Sequence, residues 1–223
     1  MNLKNINETF AKVFESPDRV NFRNLMKDLT GEYDDLDFKE RAIDKIKLAK
    51  HILAMANTDG GIICFGVSET DMGLEPTGLD KIIDSTELKN QLNEYLPHEL
   101  KYETCPINYN NSVEWEELKN KSFLMIIVEF TPEHIPFLPM KESEYFKRTS
   151  ILCRKNSSST ECEYYDLKDL LNKRIQTNTS TALSSRDLDD LRLLQHYKMF
   201  NVFVPAYDAL YDAKLKIIIE KIK

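Results

Sequence analysis

The sequence predicts an α/β (or α+β) fold, a mixed sheet flanked by helices, followed by a helical extension. Three patterns predict it. Ile62 to Val67 and Phe123 to Phe130 are unbroken apolar runs, as expected of strands covered on both faces. Ala42, Ile43, Ile46, Ala49, Leu53 and Ala56 recur at three and four, with Lys47, Lys50 and His51 opposite, which is the period of a one-sided helix. Asp84-Ser-Thr-Glu87 is a capping-box pattern opening a further helix.

Taken in order, residues 1–30 read as a helical lead. Phe10, Val13 and Phe14 share one face, and Phe22, Leu25, Met26 and Leu29 form a second stripe after Pro17. Gly31 is a C-terminal stop. Residues 33–39 alternate Tyr33, Leu36 and Phe38 with acids and predict a short strand. The helix from Glu40 ends at Asn57 to Gly61, residue types that accept left-handed backbone. The apolar run Ile62 to Val67 is one central strand, and Gly73 and Gly78 punctuate a hairpin-like segment. The capped helix runs to Leu96, before Pro97. Tyr145 to Lys147 and Ile151 to Arg154 read as strands, and Glu163 to Ile175 as an amphipathic helix. These elements place one domain over 31–175, a polar linker over 176–185 and helices over 186–223. Leu188, Leu191, Leu194, Leu210, Ile217, Ile218 and Ile222 make that last segment apolar enough to dock on the core or on a second copy.

Composition narrows the function classes. The net charge of −7 excludes a uniformly basic coat for nucleic acid, but not a local basic groove. Cys64, Cys105, Cys153 and Cys162 show no CxxC pairing, which fits free thiols in a cytoplasmic protein. His51, His98, His134 and His196 have no metal-ligand spacing. No apolar run reaches the roughly 20 residues of a membrane span, and the N-terminus lacks the apolar core of a signal peptide. A soluble protein is expected.

Two constellations can carry chemistry. Glu32 and Asp37 flank the first strand, and Glu69 follows the next one. Convergent carboxylates suit Mg²⁺ or Mn²⁺, which prefer oxygen ligands and can activate water in phosphodiester cleavage. Lys39, two residues beyond Asp37 on a strand, shares its face and is placed to hold a phosphate. The same acids would equally serve as a solvated edge that discourages strand pairing. The second constellation is Arg154-Lys155-Asn156-Ser157-Ser158-Ser159-Thr160, two cations before a small polar turn of the kind that binds phosphate, or an ordinary solvated loop. Lys147 and Arg148, beside Tyr145 and Phe146, add an aromatic-basic cluster. No Walker or GxGxxG motif supports ATP as a ligand.

Together these pieces resemble the Schlafen-type AlbA-like domain. The shared pattern is an acid (Glu32), Asp37-Phe38-Lys39, Ala56-Asn57-Thr58-Asp59-Gly60-Gly61, Gly66-Val67-Ser68-Glu69, and Arg154-Lys155-Asn156-Ser157-Ser158, over about residues 25–172. The resemblance implies a nucleic-acid-binding domain in which Glu32, Asp37 and Glu69 are the acids of a metal-dependent endoribonuclease acting on structured RNA such as tRNA. Lys39 assists them, and Lys147, Arg148, Arg154, Lys155, Ser157 and Ser158 hold the nucleic acid. It also implies an alternative, a DNA-binding or ATP-binding regulatory module without catalysis, and the apolar C-terminal helices add another, an interaction domain of a larger protein. Asp37 stands where the family has Glu, Ser68 where it has an acid and Asn156 where it has Gly. Schlafen nucleases pair two such modules in a cradle, so the resemblance implies a homodimer for a chain with one.

Overall fold

The computed structural model describes residues 3–28, 35–70, 73–110, 115–155 and 157–182, with side chains from 9 to 177. The chain divides into two compact units, 1–170 and 171–223. The N-terminal lead is two helices, α1 (Leu3–Glu15) and α2 (Arg19–Asp28). Asp18 starts α2 by accepting the Val20 and Asn21 amides on Oδ1, satisfying donors that a first turn leaves open.

Strand β1 (Leu36–Lys39) leads to α3 (Lys45–Asn57), which returns the chain to β2 (Gly61–Phe65), parallel to β1. Asp44 caps α3 through its contact with the Ile46 amide, so the helix starts five residues later than Glu40. The apolar run expected as one strand is broken at Gly66, where φ is 94°. A side chain would resist that value, and the chain turns there into a separate β3–β4 pair (Val67–Thr70 and Gly73–Pro76). Helix α4 (Ser85–Leu92) opens as its capping pattern predicts, with Asp84 Oδ1 accepting the Thr86 and Glu87 amides, but it stops at Leu92 rather than Leu96.

Strand β5 (Tyr102–Asn108) is one that periodicity did not reveal. It pairs antiparallel with β6 (Ser122–Val128), giving the order β1-β2-β6-β5. Pro106 is compatible with this strand because β5 lies at the sheet edge.

Tyr145 to Lys147 is not a strand: the Tyr145 amide bonds to Ser143 Oγ, the Lys147 amide to Ser150 Oγ, and the Ser143 amide to the Phe146 carbonyl. Local serine bonds replace a ladder there. The polar stretch after Arg154 is not a simple loop: β7 (Leu152–Lys155) and β8 (Ser158–Glu161) form a hairpin turning through Ser157, whose φ is 61°. Helix α5 (Tyr164–Ala182) continues past Gln176, into the segment expected as linker. The helices expected over 186–223, and with them the docking or dimer surface, lie outside the described residues.

The sheet buries both faces. Leu36, Phe38, Ile62, Cys64, Met125 and Ile127 pack with Phe22 and Leu25 of α2. Ile63, Phe65, Leu124, Ile126 and Val128 pack with Leu48, Ile52 and Met55 of α3. Register puts Asp37 beside Ile63 and Lys39 beside Phe65, so both polar side chains project from the face that α3 covers. No helix among the described residues is long and apolar enough to cross a membrane.

Candidate nucleic-acid interface

Asp37 is 6% exposed and stands on an otherwise apolar face of the sheet. Burying a carboxylate is costly unless charge and hydrogen bonds compensate. Here compensation comes from three directions. Lys39 Nζ donates to Oδ1 in a short contact, Arg154 Nη1 reaches Oδ2 at 3.3 Å, and His51 Nδ1 lies 3.5 Å from the same oxygen. Ser159 Oγ closes the network, 2.9 Å from His51 Nδ1 and 3.4 Å from Arg154 Nη1. The Asp37–Arg154 pair joins residues 117 apart in the chain.

The supporting shell is built from the Asn-Thr-x-Gly-Gly segment at the end of α3. Asn57 is buried and donates to the carbonyls of Phe137 and Leu152, while its Oδ1 accepts the Phe137 amide at 2.7 Å. Thr58 Oγ1 donates to the Ala54 carbonyl and accepts the Arg154 amide at 2.9 Å. Both residues therefore fix β7, the strand that delivers Arg154. Gly60 and Gly61 permit close strand approach. A Cβ on Gly60 would lie 2.6 Å from the Val128 carbonyl oxygen, and one on Gly61 would lie 2.5 Å from the Asp35 carbonyl oxygen.

Electrostatics follow from burial. The His51 side chain is 20% exposed, and its pKa is lowered from 6.5 to about 4. Burial is the main cause; Asp37 opposes it, and Lys39, Arg154 and Lys50 reinforce it. His51 is neutral at pH 7. Cys64, on the neighbouring strand, has its thiol pushed up by burial and then by Asp37. Cys153 is lowered chiefly by a hydrogen bond from Cys162, whose own thiol is raised by the same contact.

Asp37, Lys39 and Arg154 meet in one cluster. The Lys39 side chain is 30% exposed, but that of Arg154 is 0% exposed, so its guanidinium serves Asp37 rather than solvent. Lys155 sits at the end of β7 and pairs with Glu163 at 3.1 Å and Asp166 at 3.8 Å. Lys147 and Arg148 are exposed in the turn before β7. That turn is tied to β8 by the bond from Ser150 Oγ to Glu161. Ser158 is exposed and Ser157 half-buried at the hairpin turn. Glu69 is exposed on β3, and Glu32 lies outside the described residues. Ser159, expected as part of the polar turn after Arg154, lies in the cluster instead, and His51 was not anticipated as a site residue. A signal for His51 was available: it lies three residues after Leu48 and four before Met55, at the flank of the buried stripe of α3.

The arrangement bears on metal binding. A cation at Asp37 would have to displace Lys39 from Oδ1 or share Oδ2 with Arg154 and His51. As placed, this carboxylate organises the protein's own cations and does not offer an open oxygen pair to Mg²⁺ or Mn²⁺. Among the described residues no three His, Cys, Asp or Glu side chains gather as a metal-binding group.

The model of the family described as Schlafen, AlbA_2 matches residues 32–163, more than half of the chain. The chain belongs to this Schlafen family. The matched span begins before Asp37 and ends beyond Ser159, so it contains both halves of the cluster. Membership supports a nucleic-acid-related domain. Among solved structures, the chain is similar to the DIP2311 protein from Corynebacterium diphtheriae, at 16% identity and a TM-score of 0.38. That similarity covers 58% of this chain and 26% of the other, so the chain spans about a quarter of that protein. No curated protein matches.

Proposed function

We propose that this Schlafen-type domain binds nucleic acid on the surface around β1, α3 and the β7–β8 hairpin. The observation that carries the reading is the Asp37–Arg154–Ser159–His51 network, which joins the acidic and basic motifs and sets Lys39 at its partly open edge. Three cations, Lys39, Arg154 and Lys50, act on a cluster with one carboxylate. Around His51 cations outnumber the carboxylate, although the chain as a whole is acidic. Lys39 provides the central phosphate contact. Lys147, Arg148 and Lys155 provide contacts along the hairpin, with Lys155 exchanging its carboxylate partners for phosphate. Arg154 is a positioning residue in this reading, since it acts through Asp37.

Binding without cleavage fits the neutralised Asp37 better than metal-dependent hydrolysis. The test is to incubate the protein with end-labelled tRNA and single-stranded DNA in Mg²⁺, Mn²⁺ or EDTA, measuring retention and product together. Retention that persists in EDTA, with intact substrate, is expected. Cuts that appear only with metal would establish the ribonuclease reading in its place. No retention of either polymer at low salt would remove the function altogether.

A further inference from the structure

A cavity of about 340 Å³ opens at the N-terminal end of α3, and none of its lining residues belongs to the charged cluster. Its volume lies within the range of small-molecule sites. Leu48, Phe65, Leu88 and Leu124 form part of an apolar interior, contributed by α3, the sheet and α4. The polar lining residues are Asp44, Lys45, Lys81 and Gln91.

The charges have a direction. Asp44 is the one acid among the lining residues, and its Oδ1 is committed to capping α3. Neither Lys45 nor Lys81 makes an ion pair among the described residues. Glu94, the acid that senses Lys45, is bound to Lys141 at 2.9 Å. The start of α3, a 13-residue helix, adds the positive end of its dipole. Among the lining residues two lysines face one capping aspartate; of the acids just outside, Asp84 caps α4 and Glu87 accepts from Gln91.

We propose that this cavity binds a small amphipathic carboxylate, with its apolar body between Phe65 and Leu88 and its head between Lys45 and Lys81. The apolar lining excludes a highly charged polyphosphate as the best fit, because most of such a ligand would have to be desolvated against hydrocarbon. A neutral apolar ligand would leave the two lysines unused. The site does not depend on nucleic-acid binding.

The test titrates the full chain with sodium octanoate, octylammonium and 1-octanol while methyl resonances of leucine and isoleucine are followed by NMR. Octanoate should saturate and shift the methyls of Leu48, Leu88 and Leu124, with octylammonium weaker by about tenfold or more. Lys45→Gln with Lys81→Gln should weaken octanoate by about tenfold and leave octanol unchanged. Lys81 is exposed, so Lys81→Gln alone serves if the double variant fails to fold. Ile83→Trp, which narrows the cavity, should weaken octanoate and octanol alike. Equal affinity for octanoate and octylammonium, shifts confined to methyls outside the cavity, or no saturable shift would each overturn the proposal.

Discussion

At the scale of single residues, burial decides what His51 and Asp37 can do. His51 has an ordinary pKa of 6.5 when unfolded and about 4 when folded, so the unfolded chain takes up a proton that the native site refuses. Its contribution to stability is complete above pH 6.5, falls as the pH drops from 6.5 to 4, and is gone below that. The full effect is on the order of 3 kcal/mol. Urea unfolding at pH 7 and at pH 5 should show a larger loss for the native chain than for His51→Gln; parallel losses would mean that His51 is solvated. Asp37→Asn tests the same site from the other side. It leaves the buried Arg154 without its carboxylate and should cost about 3 kcal/mol or more. Asp37 raises the pKa of His51, so its removal should move the His51 titration further down, as read from the imidazole resonances. Asp37 was legible as a site residue because it stands with Glu32 and Glu69 among acids at strand ends and within the Asp37-Phe38-Lys39 motif. Lys39 was legible beside it on the same strand face, but the pairing with Arg154 was not, because a contact across 117 residues leaves no mark in local spacing.

At the scale of elements, the end of α3 connects the sheet to the hairpin. The sequence showed Ala56-Asn57-Thr58-Asp59-Gly60-Gly61 as a helix stop, and that reading was incomplete. Asn57 bonds to Phe137 and Leu152, and Thr58 to Arg154, so the segment also orders a strand about a hundred residues later. Asn57→Leu keeps the volume but abandons three backbone partners, each worth about 1–3 kcal/mol when left buried. We expect a loss of at least about 3 kcal/mol, with hydrogen exchange accelerating first in β7. If exchange rises uniformly instead, Asn57 supports the helix and not the hairpin. Gly60→Ala meets both a φ of 77° and the Val128 carbonyl, and should cost about 2 kcal/mol or more in thermal unfolding. Strand β8 escaped sequence reading for a related reason. Ser158 to Glu161 has no apolar alternation, and its pairing is imposed by the turn at Ser157 and by β7. The break at Gly66 was equally hidden, since Ile62 to Val67 is apolar throughout.

At the scale of the molecule, an acidic chain must concentrate its cations to hold a polyanion. The net charge of −7 opposes association everywhere except near a local surplus, and the opposition weakens as salt screens it. Phosphate contacts behave in the opposite sense, because each releases counterions and so weakens with added salt. The two effects separate in a salt series. Lys147 and Arg148 are exposed in a turn held to β8 through Ser150 and Glu161, so replacing both with Gln removes charge without disturbing the Asp37 network. Anisotropy with labelled single-stranded DNA and tRNA should show weaker binding for the double variant. The slope of log affinity against log salt should become shallower by about two, one for each lost contact. Lys39→Gln should cost affinity as well, with a melting temperature that also moves because Asp37 loses a partner. An unchanged slope in Lys147→Gln with Arg148→Gln, alongside intact binding, would place the nucleic acid on another surface and leave the Asp37 cluster as a stabilising hub.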